Sequence, residues 1–167
     1  LGWHEACSGV DEITRRAPLK KSKLVMVGNG MAGVRTIEEL LKIAPDLYDV
    51  TVFGAEPHPN YNRILLSPVL AGEQTLDEIV LNSWDWYKDN HITLHAGKKV
   101  FEVDRVKRIV RAVDTDGAVT EETYDRLLMC TGSNPFILPI PGKDLQGVIA
   151  YRDIADTNAM IDAATKY

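Results

Sequence analysis

Leu24-Val25-Met26-Val27-Gly28-Asn29-Gly30-Met31-Ala32-Gly33 is the stretch that decides the fold. Four apolar residues in a row, closed by glycine, are too few for a buried helix and read as a strand covered on both faces, the pattern of a parallel sheet. The glycines then fall as G-x-G-x-x-G, and Val34, Ile37, Leu40, Leu41 and Ala44 recur at helical spacing until Pro45 ends the run. A GxGxxG alone is a weak signal. Between a strand and a helix it has a mechanism. Gly28 permits the tight turn, Gly30 lets the main chain come close to a pyrophosphate, and Gly33 allows helix and strand to pack closely. The helix start contributes unpaired N–H groups and the positive end of its dipole, so phosphates are held without a lysine. Gly28, Asn29, Gly30, Met31, Ala32 and Gly33 are therefore candidate nucleotide-binding residues.

Working outward, Val50-Thr51-Val52-Phe53 is the next strand, which completes a βαβ unit. Glu56 follows its end, 23 residues past Gly33, where a carboxylate accepts hydrogen bonds from ribose hydroxyls and its charge repels a 2′-phosphate. Residues 56–72 are loop-rich with three prolines, Thr75-Leu76-Asp77-Glu78 is a capping-box signal for a short helix, and residues 83–90 read as another helical turn. Trp84 and Trp86 in that turn read as packing residues. Ile92-Thr93-Leu94 is a third candidate strand. Beyond Gly97, the segments 99–103, 108–113 and 121–124, joined by turns such as Asp116-Gly117, have the signature of a β-meander. Residues 126–130 return to a buried run that ends in Thr131-Gly132. The expected fold class is α/β: a Rossmann-like dinucleotide fold with a parallel sheet and an antiparallel β-meander insertion, truncated. The expected division is a leader over 1–22, a nucleotide-binding domain over 23–153 and a helical connector over 154–167.

Composition bounds the function classes. With 167 residues, 45% hydrophobic and 26% charged, the chain supports one domain with a real core. A net charge of -5 leaves no basic surplus for nucleic acid. Apolar runs are strand-sized, too short for a bilayer, so no membrane partner is expected. Cys7 and Cys130 form no CxxC and no metal cluster, which suits a reducing, cytoplasmic setting. His91 and His95 flank a strand-like run, the wrong spacing for a zinc pair, so no metal site is expected. The chain begins at Leu1 and lacks the apolar core of a secretory signal, while residues 154–167 stop in mid-pattern, so the expectation is a piece of a longer polypeptide.

Glycine turn and Glu56 together leave NAD and FAD open. Thr131-Gly132-Ser133-Asn134-Pro135, behind an apolar strand, resembles the second FAD fingerprint of the pyridine-nucleotide-disulfide oxidoreductase superfamily, where a meander also precedes it. Asn60-Tyr61-Asn62-Arg63-Ile64-Leu65-Leu66-Ser67-Pro68-Val69-Leu70-Ala71-Gly72-Glu73, with the glycine turn and Leu81-Asn82-Ser83-Trp84, is similar to the large-subunit family of NAD(P)H-dependent nitrite reductases. Rubredoxin and ferredoxin reductases share the Tyr-x-Arg-x-x-Leu-Ser core but usually carry lysine where this chain has Pro68. The resemblance implies FAD as cofactor, Thr131 and Gly132 beside it, Arg63 as an FAD contact, Val100 as a main-chain contact to adenine, and Cys130 as a small packing residue. It further implies a protein that passes electrons from NAD(P)H through FAD to sirohaem, reducing nitrite to ammonia in nitrate and nitrite assimilation. The NAD(P)H domain, sirohaem and iron–sulfur ligands would lie in further C-terminal domains of the same polypeptide, with a small subunit as a further partner. The chain alone is then expected to be inactive. Two alternatives stay open: the matching segment of a ferredoxin- or rubredoxin-type NAD(P)H reductase, and a non-catalytic nucleotide-binding module. An NAD-dependent dehydrogenase is disfavoured by Thr131-Gly132 and by the lack of a Tyr-x-x-x-Lys pair.

Overall fold

The computed structural model describes residues 21–166. Most of the leader expected over 1–22, with Cys7 and His4, lies outside these residues, and Ser22 already begins the first strand. In chain order the elements are β1 (Ser22–Val27), α1 (Met31–Ile43), β2 (Tyr48–Phe53), β3 (Asn60–Tyr61), α2 (Leu66–Leu70), β4 (Val80–Asn82) and α3 (Trp84–Asp89). They continue with β5 (Thr93–His95), β6 (Lys99–Asp104), β7 (Ile109–Val113), β8 (Val119–Thr123), β9 (Arg126–Met129) and α4 (Ile154–Lys166).

Four strands form a parallel sheet in the order β5-β2-β1-β9. β1 is interior, with Val27 level with Phe53 on one side and Met129 on the other, which is why its run is apolar without alternation. Its side chains still alternate in destination. Leu24 and Met26 join Val34, Ile37, Val50, Val52, Tyr87 and Ile92 beneath α1 and α3. Val25 and Val27 join Phe53, Val110 and Ala112 on the opposite face, against the meander β6-β7-β8. In β7 the buried Val110 and Ala112 alternate with Arg111, whose guanidinium pairs on the outer face with Glu102 at 2.8 Å and Glu121 at 2.5 Å. Three layers result, helices, parallel sheet and meander, as the sequence pattern requires.

Between β2 and β5 the structure departs from expectation. The Thr75 signal produces no α-helix: Thr75 N–H donates to Glu78 at 2.7 Å, but only one 3-10 turn forms at Asp77–Ile79. Ile79 is buried beside Tyr61, Leu66 and Val69, and the chain passes directly into β4. β4 pairs antiparallel with β3, a two-residue strand inside the loop-rich stretch. This ladder is sealed by polar side chains: Asn60 donates to Asn82 at 2.8 Å, and Asn82 donates to Glu38 of α1 at 2.8 Å. α3 starts where expected, with Ser83 Oγ accepting from Trp86 N–H. Trp86 packs edge-on to Tyr87 at 5.0 Å, whereas Trp84 is half exposed and is no core residue.

α4 is docked. Ile154 and Thr157 are buried, and Ile154 joins the cluster of Tyr61, Leu66, Val69 and Ile79. Asp153 and Asp156 cap its start reciprocally, Asp156 N–H donating to Asp153 at 2.9 Å and Asp153 N–H to Asp156 at 3.4 Å. Among the described residues no helix is long and apolar enough to cross a membrane.

Candidate functional site

The carboxyl ends of β1, β2 and β9 turn away together. Gly28 N–H donates to Phe53 O at 2.8 Å, and Cys130 N–H donates to Val27 O at 2.8 Å, which ties the three ends into one rim. Gly28 has φ of 108°, and a Cβ there would lie 2.1 Å from Cys130 O, so the turn admits only glycine. A Cβ on Gly33 would meet Met26 Sδ at 2.8 Å and Cys130 Cβ at 2.9 Å, so this glycine lets α1 press onto the sheet. Gly30 differs. Nothing in the protein lies within 4 Å of its Cβ position, which faces open space at the start of α1. Gly30 is the N-cap, with no side-chain cap and no acid in the first turn, so the helix start is left to an external acceptor.

A groove of about 130 Å³ opens at this rim, walled by Gly28, Asn29, Gly30, Glu56, Arg63, Thr131, Gly132 and Arg152, among others. A second hollow of about 280 Å³ shares Gly28, Thr131 and Gly132 with it and runs along Val100, Lys98 and Asn134. Eight of the eleven candidate residues thus come together from separate parts of the chain. Met31 and Ala32 stand in the first turn of α1 without lining either hollow, and Gly33 is a packing residue. The side chain of Asn29 is engaged elsewhere, with Nδ2 donating to His58 O at 3.3 Å and Oδ1 accepting from Tyr87 at 2.7 Å.

Glu56 is held by two protein donors. Tyr61 Oη donates to Oε2 at 2.6 Å, and Arg63 Nη2 forms an ion pair with Oε1. The guanidinium also donates to Arg152 O at 3.1 Å and stands 5.1 Å from the centre of the Tyr61 ring. Burial, and then the carboxylate it faces, raise the Tyr61 phenol above its ordinary value, so it stays a donor. Because Arg63 offsets the charge, Glu56 repels a 2′-phosphate less than the lone carboxylate expected from the sequence would. Each carboxylate oxygen keeps a further lone pair for a ribose hydroxyl.

Tyr61 and Arg152 belong to the groove and escaped the sequence reading as site residues. Tyr61 had a signal, since it stands two residues before Arg63. Arg152 had none: its guanidinium reaches within 3.6 Å of the Cβ position of Gly132, 20 residues earlier. Cys130 is a half-buried free thiol pushed up by burial, as suits packing beside Gly33 and not a reactive thiolate. His95 stacks on Phe53 at 4.8 Å, and burial lowers its pKa. Among the described residues no three His, Cys, Asp or Glu side chains converge on a metal position. A larger cavity of about 450 Å³ lies at the opposite strand ends, among Lys21, Lys23, Tyr48, Asp49 and His91. It lacks a glycine turn and a helix start, and ligands of open α/β sheets bind at the carboxyl ends. The smaller groove is the candidate site.

Comparison with known proteins bears on the fold that carries this groove. Residues 22–166 match the family described as Pyridine nucleotide-disulphide oxidoreductase. The chain is 54% identical over 147 residues to a Bacillus subtilis protein named NAD(P)H nitrite reductase, covering 88% of this chain and 18% of that protein. It is 50% identical over 149 residues to the assimilatory nitrate reductase electron transfer subunit of the same organism, covering 89% of this chain and 19% of the relative. Among solved structures, the water-forming NADH oxidase of Lactobacillus brevis superposes with a TM-score of 0.77 at 26% identity, over 87% of this chain and 33% of that one. The chain spans about a fifth of the length of the two Bacillus relatives.

Proposed function

This chain belongs to the pyridine nucleotide-disulphide oxidoreductase family, and we propose that it is the FAD-binding segment of an NAD(P)H-dependent nitrite reductase working in nitrate and nitrite assimilation. The observation that carries the reading is the groove at the strand ends, where an uncapped helix start, an open Gly30 and a donor-held carboxylate face one another. These features fit a dinucleotide. The Gly28–Gly30 main chain and the first turn of α1 bind phosphate oxygens, Gly30 leaves room for their close approach, and Glu56 accepts from the ribose. Arg63 and Tyr61 keep that carboxylate oriented, and Val100 with the neighbouring hollow receives the adenine end. Thr131 and Gly132 border the same rim beside Arg152. When bound, the flavin supplies hydride acceptance and single-electron delivery, while the protein supplies position and electrostatics.

The similarity to the two Bacillus relatives favours nitrite assimilation over the ferredoxin- and rubredoxin-type alternative, and Pro68 in place of lysine points the same way. In this reading the NAD(P)H domain, the sirohaem and iron–sulfur ligands, and any small subunit are supplied outside these 167 residues. The domain proposal is that 23–153 cradle FAD and that 154–167 lead onward. The test is the full-length protein assayed with NADH or NADPH and nitrite. Nitrite-dependent oxidation yielding ammonia supports the assignment. Transfer only to a ferredoxin or rubredoxin, with nitrite inert, refutes it in favour of the alternative.

A further inference from the structure

Asn29, the residue between the first two glycines, is held from three sides. A methyl on Gly54 would come within 2.9 Å of its Cβ, so the side chain lies directly over the end of β2. Its Oδ1 accepts from the Tyr87 hydroxyl at 2.7 Å, and its Nδ2 donates to His58 O at 3.3 Å. A carbonyl can only accept, so the amide faces one way, and the hydroxyl must donate to the oxygen that remains. All three partners stand outside the glycine turn. The Tyr87 ring is 2% exposed and is packed with Met26, Val34, Val52 and Ile92, which gives its oxygen a fixed place. Tyr87 does not line the groove; its hydroxyl touches the glycine turn through Asn29 and also accepts from the Asn60 main chain, beside Tyr61.

We propose that Tyr87 is a positioning residue for the dinucleotide, its hydroxyl fixing Asn29 and thereby the Gly28–Gly30 main chain that faces the phosphates. This rests on reading the groove as an FAD site. Two glycines make this turn the part of the cradle with the most conformational freedom. Unfastened, it would have to be ordered on binding, at a loss of affinity. Fastened through Gly28 to β2 and through Asn29 to His58 O and the buried Tyr87 hydroxyl, it is ordered beforehand. Tyrosine serves here because its ring belongs to the apolar cluster and its oxygen reaches past it.

The experiment measures FAD Kd by flavin fluorescence for the 167-residue chain, for Tyr87→Phe, Asn29→Ala and both together, and for Ile92→Val as a control in the same cluster. Each of the first two variants weakens FAD binding roughly three- to tenfold, the worth of one net hydrogen bond. The double variant is no weaker than the poorer single one, because both remove the same fastening. Ile92→Val lowers Tm and leaves Kd in place. A Tyr87→Phe chain with lowered Tm and unchanged Kd overturns the proposal, and should that variant not fold, an unchanged Kd in Asn29→Ala does so. Failure of the parent chain to bind FAD refutes the groove reading separately. The positioning is then read from the amide NMR signals of Gly28 and Gly30, which Tyr87→Phe shifts and Ile92→Val does not; unshifted signals overturn it.

Discussion

At the scale of single residues, the site rests on contrasts between similar-looking positions. Gly28 and Gly30 share a motif, yet one meets backbone and the other meets nothing. Gly28→Ala should therefore fail to fold, while Gly30→Val folds, as circular dichroism would show, and loses FAD, because its branched side chain fills the phosphate approach. A folded Gly30→Val chain with normal FAD affinity would remove the cradle. Glu56→Gln should weaken FAD binding by about 1–3 kcal/mol, the range for a hydrogen bond to a charged group. Equal affinity would leave Glu56 as a partner of Arg63 and nothing more. The place of the glycine turn and of Glu56 at the rim was legible because their spacing along the chain fixes it. Tyr61 and Arg152 were not, because their roles come from neighbours fixed only by the fold. The two buried tyrosines carry a pH signature. Burial raises both phenols, Tyr87 to about 12 and Tyr61 also above its ordinary value. Their contribution to stability is complete below the unfolded value near pH 10 and is lost as pH rises through the folded values. Absorbance at the phenolate band should show a late component from Tyr61 and Tyr87, appearing together with unfolding; the absence of any such component would contradict the packing.

At the scale of elements, long periodic segments declared themselves and short ones did not. β1, α1, β2 and the meander could be read because burial on two faces, a helical stripe and period-two alternation each leave a pattern over four or more residues. β3 is too short to leave one, and its buried Asn60, like Asn82 of β4, resembles loop composition until their mutual hydrogen bond is seen. The Thr75 box misled because a capping signal starts a helix only if the following residues can continue it, and Ile79 is drawn into a different cluster. α4 is anchored at its start, since its first turn is capped by Asp153 and docked through Ile154. Asp153→Ala should lower stability by roughly 0.5–2 kcal/mol, as for other N-cap losses. An unchanged Tm would mean that α4 stands apart from the domain.

At the scale of the whole molecule, a parallel sheet backed by a meander brings eight candidate residues to one rim, and the family match extends across the same span. In the proposed reading the turn between β1 and α1 supplies the phosphate side, the end of β2 the ribose side, and the segment after β9 closes the rim. Only the last of these separates FAD from NAD by sequence resemblance, so the choice between the two nucleotides is where the account is most exposed. Parallel titration of the chain with FAD and NAD, followed calorimetrically, tests it most directly. FAD binding at a lower Kd than NAD, with one site per chain, is the result this account predicts; tighter binding of NAD would contradict it.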